Sequence, residues 1–385
     1  CPGGARPVRD WGADGRDAAE DLSLGGEVYG QRVPEVFGGP FSWAGQRYVE
    51  RGVRVSTLRD VLLSGNEGII TRGCEVFIPY YDVQVPWHEN LPWLLKPEAK
   101  VRRLGAALWL LVMFPANFFS FLIDELARLA VWLTTRRQRL PLLVPADRGK
   151  LKGFMYDWFS LFGDFQVIPY DVRPHFTGPA RTAEPRFWVR ELHVVDWRDP
   201  PGAERRGDVF LLPPRWAMER LRSLAVSHVF GRRGAPPEPR WRTLLWIQRA
   251  AATTRRVDNE DELFAALRRE LTGAPGRPWR LATFSDAPPP PTARQAVEMF
   301  HAADVVVGLH GSGQANQVFC KPGTGIIDIN LPEPHSQYTA HNSYALGLPH
   351  RLVMMRGVAL HQAVNVTIPV EDVADALRSL LRELG

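Results

Sequence analysis

An α/β fold is predicted, and three observations predict it: a length of 385 residues, a stretch dense in Gly and Pro near residue 231, and an alternation of short apolar β-rich runs with helical ones beyond it. Compact domains usually run to roughly 100–200 residues, so the length predicts two of them. Gly231 to Arg240 holds too much Gly and Pro for a helix or a central strand. The expected division is therefore a domain over 1–230, a linker over 231–242 and a second domain over 243–385.

The elements follow in order. Cys1 to Gly45 is rich in Gly, Asp and Arg with little periodicity and is expected to be irregular. Leu104 to Ile123 carries no charge over 20 residues, the length of a membrane span. Pro115 and Asn117 interrupt it and Asp124, Glu125 and Arg128 follow, so a strand running into a core-facing helix is preferred, with a span as the alternative. Helix is expected over Asn117–Thr135, strand over Pro141–Val144, helix near Lys152–Ser160, and strands near Phe165–Ile168 and Phe187–Val195. Beyond the linker the strands are Thr243–Gln248, Trp279–Thr283, Asp304–Leu309, Gly325–Ile329 and Arg351–Met354. Helices Glu260–Leu271, Thr292–Ala302, Gly313–Phe319, His341–Leu346 and Val370–Leu384 separate or follow them. Apolar strands alternating with helices argue for a parallel, doubly wound sheet buried on both faces.

Hydrophobic residues at 45% and charged residues at 23% exclude a largely disordered chain. The net charge of +5 would attract a polyanion, yet the arginines are dispersed and stand beside acids, as where Arg255 and Arg256 precede Asp258, Glu260 and Asp261. No nucleic-acid partner is expected; an arginine-lined pocket for a small phosphate-bearing ligand fits better. Cys1, Cys74 and Cys320 allow at most one internal disulfide and have no zinc-site spacing, so no metal site is expected and the redox compartment stays open. The chain opens on Cys1 rather than Met, which leads us to expect an upstream signal or membrane anchor. Asn365-Val366-Thr367 is a glycosylation acceptor triplet and points weakly to the secretory route.

The sharpest local pattern is Ala303 to Gln314, an apolar strand that ends in His310-Gly311-Ser312-Gly313-Gln314 and opens a helix. Ligands of open α/β sheets bind at the carboxyl ends of strands, and backbone N–H groups at a helix start suit an anion. Gly311 and Gly313 would let the backbone approach a diphosphate; an ordinary tight turn with His310 bonded to backbone is the other reading. Arg249 follows the first strand of the same domain, hence lies on the same rim, and Arg255 lies in the loop before the next helix. Asn259 is placed as an N-cap with Glu260 and Asp261 in the first turn, a structural role that competes with ligand binding.

Four stretches together resemble glycosyltransferase family 61: Ile247-Gln248-Arg249, Thr254 to Glu260, Ala303 to Gln314, and Pro322 to Ile329. Asn117-Phe118-Phe119-Ser120 followed by Asp124-Glu125 looks like the family's N-terminal motif, with Ser120 where the family has His. Gln248, Ser312 and Gln314 also depart from its pattern. The resemblance implies a GT-B type fold with two facing Rossmann-like domains and a cleft. It implies an inverting, metal-independent transferase that moves xylose, N-acetylglucosamine or arabinose from a UDP-sugar donor to a glycan or glycoprotein acceptor, with no further cofactor. A non-catalytic relative that binds nucleotide-sugar or glycan is the alternative. On this reading Arg249, Arg255, Asn259, His310, Gly311, Ser312, Gly313 and Gln314 hold the donor. Asp124 or Glu125 is the catalytic base, Asp124 slightly favoured, one looking into the cleft and the other toward solvent. His335, Tyr338 and His341 are further candidates for the donor-sugar or nucleoside pocket. The implied location is the Golgi or endoplasmic reticulum lumen.

Overall fold

A computed structural model of the chain describes residues 6–8, 17–23, 28–29, 35–39, 48–64, 69–77, 101–110, 117–146, 149–171, 185–198, 213–231, 240–330, 337–355 and 364–385. Two compact units result, one of Cys1–Val28 with Val49–Leu221, the other of Tyr29–Tyr48 with Arg222–Gly385. The helix Arg215–Phe230 begins in the first and ends in the second. Most of the expected linker and His335 lie outside the described residues.

The second unit is built on a six-stranded parallel sheet in the spatial order Trp279–Ser285, Arg242–Gln248, Val305–Leu309, Gly325–Asn330, His350–Met354, Glu35–Phe37. The last three of the expected strands, Val305–Leu309, Gly325–Asn330 and His350–Met354, are buried almost throughout, as near-continuous apolar runs require in a sheet covered on both faces. Odd-numbered residues of the two central ones, among them Val305, Val307, Ile327 and Ile329, pack with Leu263, Leu267, Leu377 and Leu380 of helices Glu260–Thr272 and Val370–Leu384. Ala293–Ala302, the turns of Ser312–Phe319 and the helix Gln337–Ala345 cover the other face. One strand was not expected. Glu35–Phe37, from a stretch read as irregular, pairs with Arg351–Val353, and the Glu35 carboxylate bonds Arg351 Nε at 2.8 Å. The expected domain limits are corrected accordingly, because residues 29–48 belong with the second unit.

The first unit carries a mixed nine-stranded sheet, so it is not a second all-parallel one as the resemblance implied. Pro185–Arg198, Arg102–Trp109, Leu142–Ala146 and Val167–Asp171 run parallel in that order. Pro185–Arg198 also pairs antiparallel, over almost its whole length, with the 13-residue strand Gly52–Ser64. The uncharged stretch is indeed a strand that leads toward a buried helix, and no described helix is long and apolar enough to cross a membrane.

That helix is not regular. Asn117 caps it by accepting from the N–H groups of Phe119 at 2.9 Å and Ser120 at 3.3 Å. Phe121–Glu125 then forms a π-helical turn, closed by the Leu126 N–H on the Phe121 carbonyl, before α-helix resumes over Leu126–Thr135. The wide turn shifts the register of side chains, and π-turns inside helices concentrate at functional sites. Glu50 provides the start of helix Arg215–Phe230, accepting from the N–H groups of Arg215 and Trp216 at 3.2 Å each. No local pattern announces a cap 165 residues away. Cys74 is in a disulfide while Cys320 is a buried free thiol, so these two do not pair with each other.

Candidate active site

In the second unit the order of strands reverses beside Arg242–Gln248: the chain runs to the outer strand Trp279–Ser285 and then returns to Val305–Leu309 on the other side. The helices leaving these strands therefore diverge, and a crevice opens at the carboxyl ends of Arg242–Gln248 and Val305–Leu309. Arg249 follows the first of these strands and the glycine loop follows the second.

Arg249 is partly buried, donates from Nη2 to the Thr254 carbonyl at 3.1 Å, and leaves Nε without a partner. Among the described residues it makes no ion pair. Burial holds its pKa below the usual arginine value, with Asp286 the opposing charge, and the Asp286 carboxylate is itself occupied by the Ala251 N–H at 2.7 Å. A buried guanidinium not bonded to any carboxylate is costly unless an anion completes it. Its Nη1 lies so close to Gly311 that a Cβ there would stand 2.2 Å away, and a Cβ on Gly313 would stand 2.9 Å from Ile247 Cγ2. The glycines are thus required first by the arginine and the strand end.

Arg255 adopts φ of 60°, in the left-handed region that non-glycine residues seldom occupy, and donates from Nη1 to the His310 carbonyl at 2.9 Å. Both arginines therefore meet the glycine loop. The loop's helix is a 3-10 helix, Ser312–Phe319, rather than the expected α-helix. Ser312 and Gly313 are partly exposed, whereas Gln314 turns inward, donating from Nε2 to the Gly308 carbonyl at 2.9 Å. Gln248 is likewise explained locally: with Trp246 it donates to the Glu260 carboxylate, at 2.6 and 2.9 Å.

The capping role expected of Asn259 is corrected. The residue stands at the N-cap position but makes no capping bond; its amide accepts from the Ile368 N–H at 2.9 Å and donates to the Ile368 carbonyl at 3.0 Å. With both ends committed, it ties the segment carrying Arg255 to the strand Asn365–Val366. Tyr338 is partly exposed and His341 buried in the helix Gln337–Ala345.

Sequence reasoning missed two buried polar residues below the loop. Asp328 and Asn330 share the even-numbered face of an otherwise apolar strand, a signal visible in the sequence as polar residues at i and i+2 of a buried run. The Asn330 amide nitrogen donates to Asp328 at 3.1 Å and lies 3.2 Å from His310 Nδ1. Desolvation raises the Asp328 pKa to about 7, against hydrogen bonds from Asn330 and Thr339 that lower it.

In the first unit Asp124 and Glu125 are both buried, at 2% and 0% exposure, which corrects the expectation that one would look to solvent. Asp124 accepts a short bond from Arg128 Nη1 and another from Trp197 Nε1 at 2.8 Å. Arg128 also donates from Nε to the Val195 carbonyl at 2.9 Å and lies over the Trp197 ring, 4.4 Å from its centroid. Neither oxygen of Glu125 has a hydrogen-bond partner among the described residues. Desolvation, then the charge of Asp124, push its pKa well above the usual carboxylate value, while Arg128 opposes them. The buried Tyr170 hydroxyl accepts from Trp109 Nε1 at 2.6 Å, and desolvation raises its pKa.

An arginine after one strand, a glycine loop after the next and a second arginine on that loop gather hydrogen-bond donors and positive charge at the switch point of a parallel α/β sheet. The family described as Glycosyltransferase 61 matches residues 118–327, more than half of the chain. The chain belongs to glycosyltransferase family 61, and sugar transfer is the class of activity that membership supports. No curated protein matches it. Among solved structures, an X-ray structure of an oxidoreductase from Corynebacterium diphtheriae is 12% identical over 38% of this chain and 96% of its own, with a TM-score of 0.26. That likeness carries no argument.

Proposed function

We propose that the protein is an inverting glycosyltransferase that moves xylose, N-acetylglucosamine or arabinose from a UDP-sugar to a hydroxyl of a glycan or glycoprotein, without a metal. The observation that carries the reading is the partly buried Arg249 guanidinium, held against Gly311 with no carboxylate bonded to it among the described residues. A diphosphate bound there completes the charge. Arg255 and the N–H groups of the glycine loop add donors, so that negative charge developing on the departing UDP is stabilised without a divalent ion.

An inverting displacement also needs a base for the acceptor hydroxyl. Asp124 is bound by Arg128 and Trp197, whereas Glu125 has no competing partner among the described residues, and burial raises its pKa, which makes its carboxylate the stronger base; Glu125 is the better candidate. An acceptor reaches a fully buried carboxyl only through an intermediary or a local opening of the turn that covers it. That burial also favours a second reading, a relative that binds nucleotide-sugar without transferring it. The Cys74 disulfide fits an oxidising lumen such as the Golgi, the compartment we assign.

Release of UDP from a panel of UDP-sugars, with acceptor glycans and a chelator present, tests the reading. Turnover in chelator supports it, binding of UDP without turnover selects the second reading, and absence of UDP binding overturns both. Rescue by manganese alone overturns the metal-independent step.

A further inference from the structure

We propose that Asn330 is a positioning residue that dictates which nitrogen of His310 carries a proton, and that Asp328 beneath it sets the orientation of the Asn330 amide. The inference stands on the geometry of this triad, two buried residues and a partly buried histidine; only its consequence for the donor rests on the function proposed above.

Three facts define the triad. Asp328 and Asn330 are 0% and 1% exposed on one face of a strand whose opposite face, through Ile327 and Ile329, is packed in the apolar core. The amide nitrogen of Asn330 lies within hydrogen-bond distance of both Asp328 Oδ2 and His310 Nδ1. The backbone of His310 is pinned on both sides, its N–H on the Ile329 carbonyl at 2.8 Å and its own carbonyl under Arg255. These bonds fix the point from which the ring projects, and the Asn330 contact is what its inner nitrogen meets.

An amide NH2 group has two hydrogens and no lone pair to offer. While it donates to an ionised Asp328 and to Nδ1, the inner nitrogen of His310 must be bare, and the proton of the neutral ring sits on Nε2. If Asp328 takes up a proton from solvent, it becomes a donor and the amide is better turned over. Oδ1 then lies between a protonated carboxyl and Nδ1 and calls for a hydrogen on Nδ1. That hydrogen arrives either with loss of the Nε2 proton to solvent, giving the other neutral tautomer, or by uptake of a second proton, giving the imidazolium. The carboxyl changes state close to neutral pH because burial raises its pKa to about 7.

Other groups on this face are placed differently. His350, on the neighbouring strand, is occupied at Nδ1 by Ser343 Oγ at 2.9 Å, and burial lowers its pKa to about 3, so it stays neutral. His341 lies buried in the helix Gln337–Ala345, which also supplies Thr339 to Asp328. The segment Ser312–Phe319 contributes Gln314, Asn316 and Gln317, none of which titrates. Arg255 at the His310 carbonyl and Arg249 at Gly311 are the nearby cations. Arg351 and the acids of Val370–Leu384 belong to the opposite face, where Arg351 bonds Ser379 and Glu383.

Histidine-selective 15N NMR of the protein without ligand tests this directly, with the His310 signals identified by their loss in His310→Gln. The wild type is expected to show the Nε2–H tautomer at pH 8.5 and a change of state centred near pH 7. Asn330→Asp places a carboxylate at Nδ1 and should draw the proton there at pH 8.5. In Asp328→Asn the transition near pH 7 should disappear. A wild type already in the Nδ1–H form at pH 8.5, or a transition unchanged in Asp328→Asn, overturns the proposal; the wild-type titration alone decides if a variant does not fold. UDP affinity measured over the same range should change by about 2–10-fold across the transition, the worth of one hydrogen bond gained or lost. Absence of any UDP binding would sink the donor-site reading and leave the NMR result to judge the triad by itself.

Discussion

Two arginines, one fully and one partly buried, show how the two units treat a similar problem in opposite ways. Arg128, fully buried in the first unit, is closed by the Asp124 carboxylate, the Val195 carbonyl and the Trp197 ring. Arg249, in the second, is pressed against a glycine loop with a single carbonyl for company. Taking the Arg128 guanidinium out of water costs several kcal/mol, and the partial burial of Arg249 carries a smaller cost of the same kind. The protein offsets that cost internally in the first case and leaves it open in the second. The lesson is that burial of a charge says little about function until its partners are counted. The neighbouring acids repeat the contrast within one π-turn, Asp124 closed and Glu125 open.

The comparison breaks most visibly if Arg128 is removed. Arg128→Ala leaves Asp124 buried without its counter-charge, and urea unfolding should show a loss of about 3–5 kcal/mol. A loss below about 1 kcal/mol would mean that the cluster is not a closed structural pair. Glu125→Gln should do the reverse, retaining the fold and UDP affinity while turnover with a competent acceptor drops by about 10²–10⁴-fold. Turnover at the wild-type rate would remove Glu125 from the chemistry and return attention to Asp124.

At the open site, Arg249→Ala should cost about 1.5–3 kcal/mol of UDP affinity by calorimetric titration with almost no loss of stability. Gly311→Ala sharpens the point, since its Cβ would displace the end of the Arg249 side chain; UDP affinity should fall about as far as in Arg249→Ala, in a folded protein. Wild-type affinity in both variants would show that the guanidinium does not meet the diphosphate. A further test is the pH dependence of stability. A carboxyl with a raised folded pKa binds more protons in the native state, so its contribution is full below its unfolded pKa and is lost as pH rises through the folded one. Asp328 does this between about pH 4 and about pH 7, and Asp328→Asn should flatten the decline of the thermal midpoint across that window.

Legibility followed the range of the forces involved. The five parallel strands from Arg242 onward could be read because central strands of such a sheet are apolar on both faces, a purely local pattern. Arg249 and the glycine loop could be joined because strand ends in one sheet share a rim. Glu35–Phe37 could not, since three residues among glycines have no period of their own and owe their conformation to the edge they meet. The π-turn was hidden because α and π hydrogen bonding place almost the same demands on residue type. Asn259 misled for a related reason: the N-cap rule looks three residues ahead, while the amide found Ile368, 109 residues on.

The strand Glu35–Phe37 has a consequence for the order of synthesis. It leaves the ribosome long before the edge it completes, His350–Met354, exists. The second unit cannot close its sheet until nearly the whole chain has been made, and Glu35 waits over 300 residues for Arg351. A fragment cut at the apparent linker would omit it and bare a strand edge with open N–H and C=O groups, a template for pairing between copies.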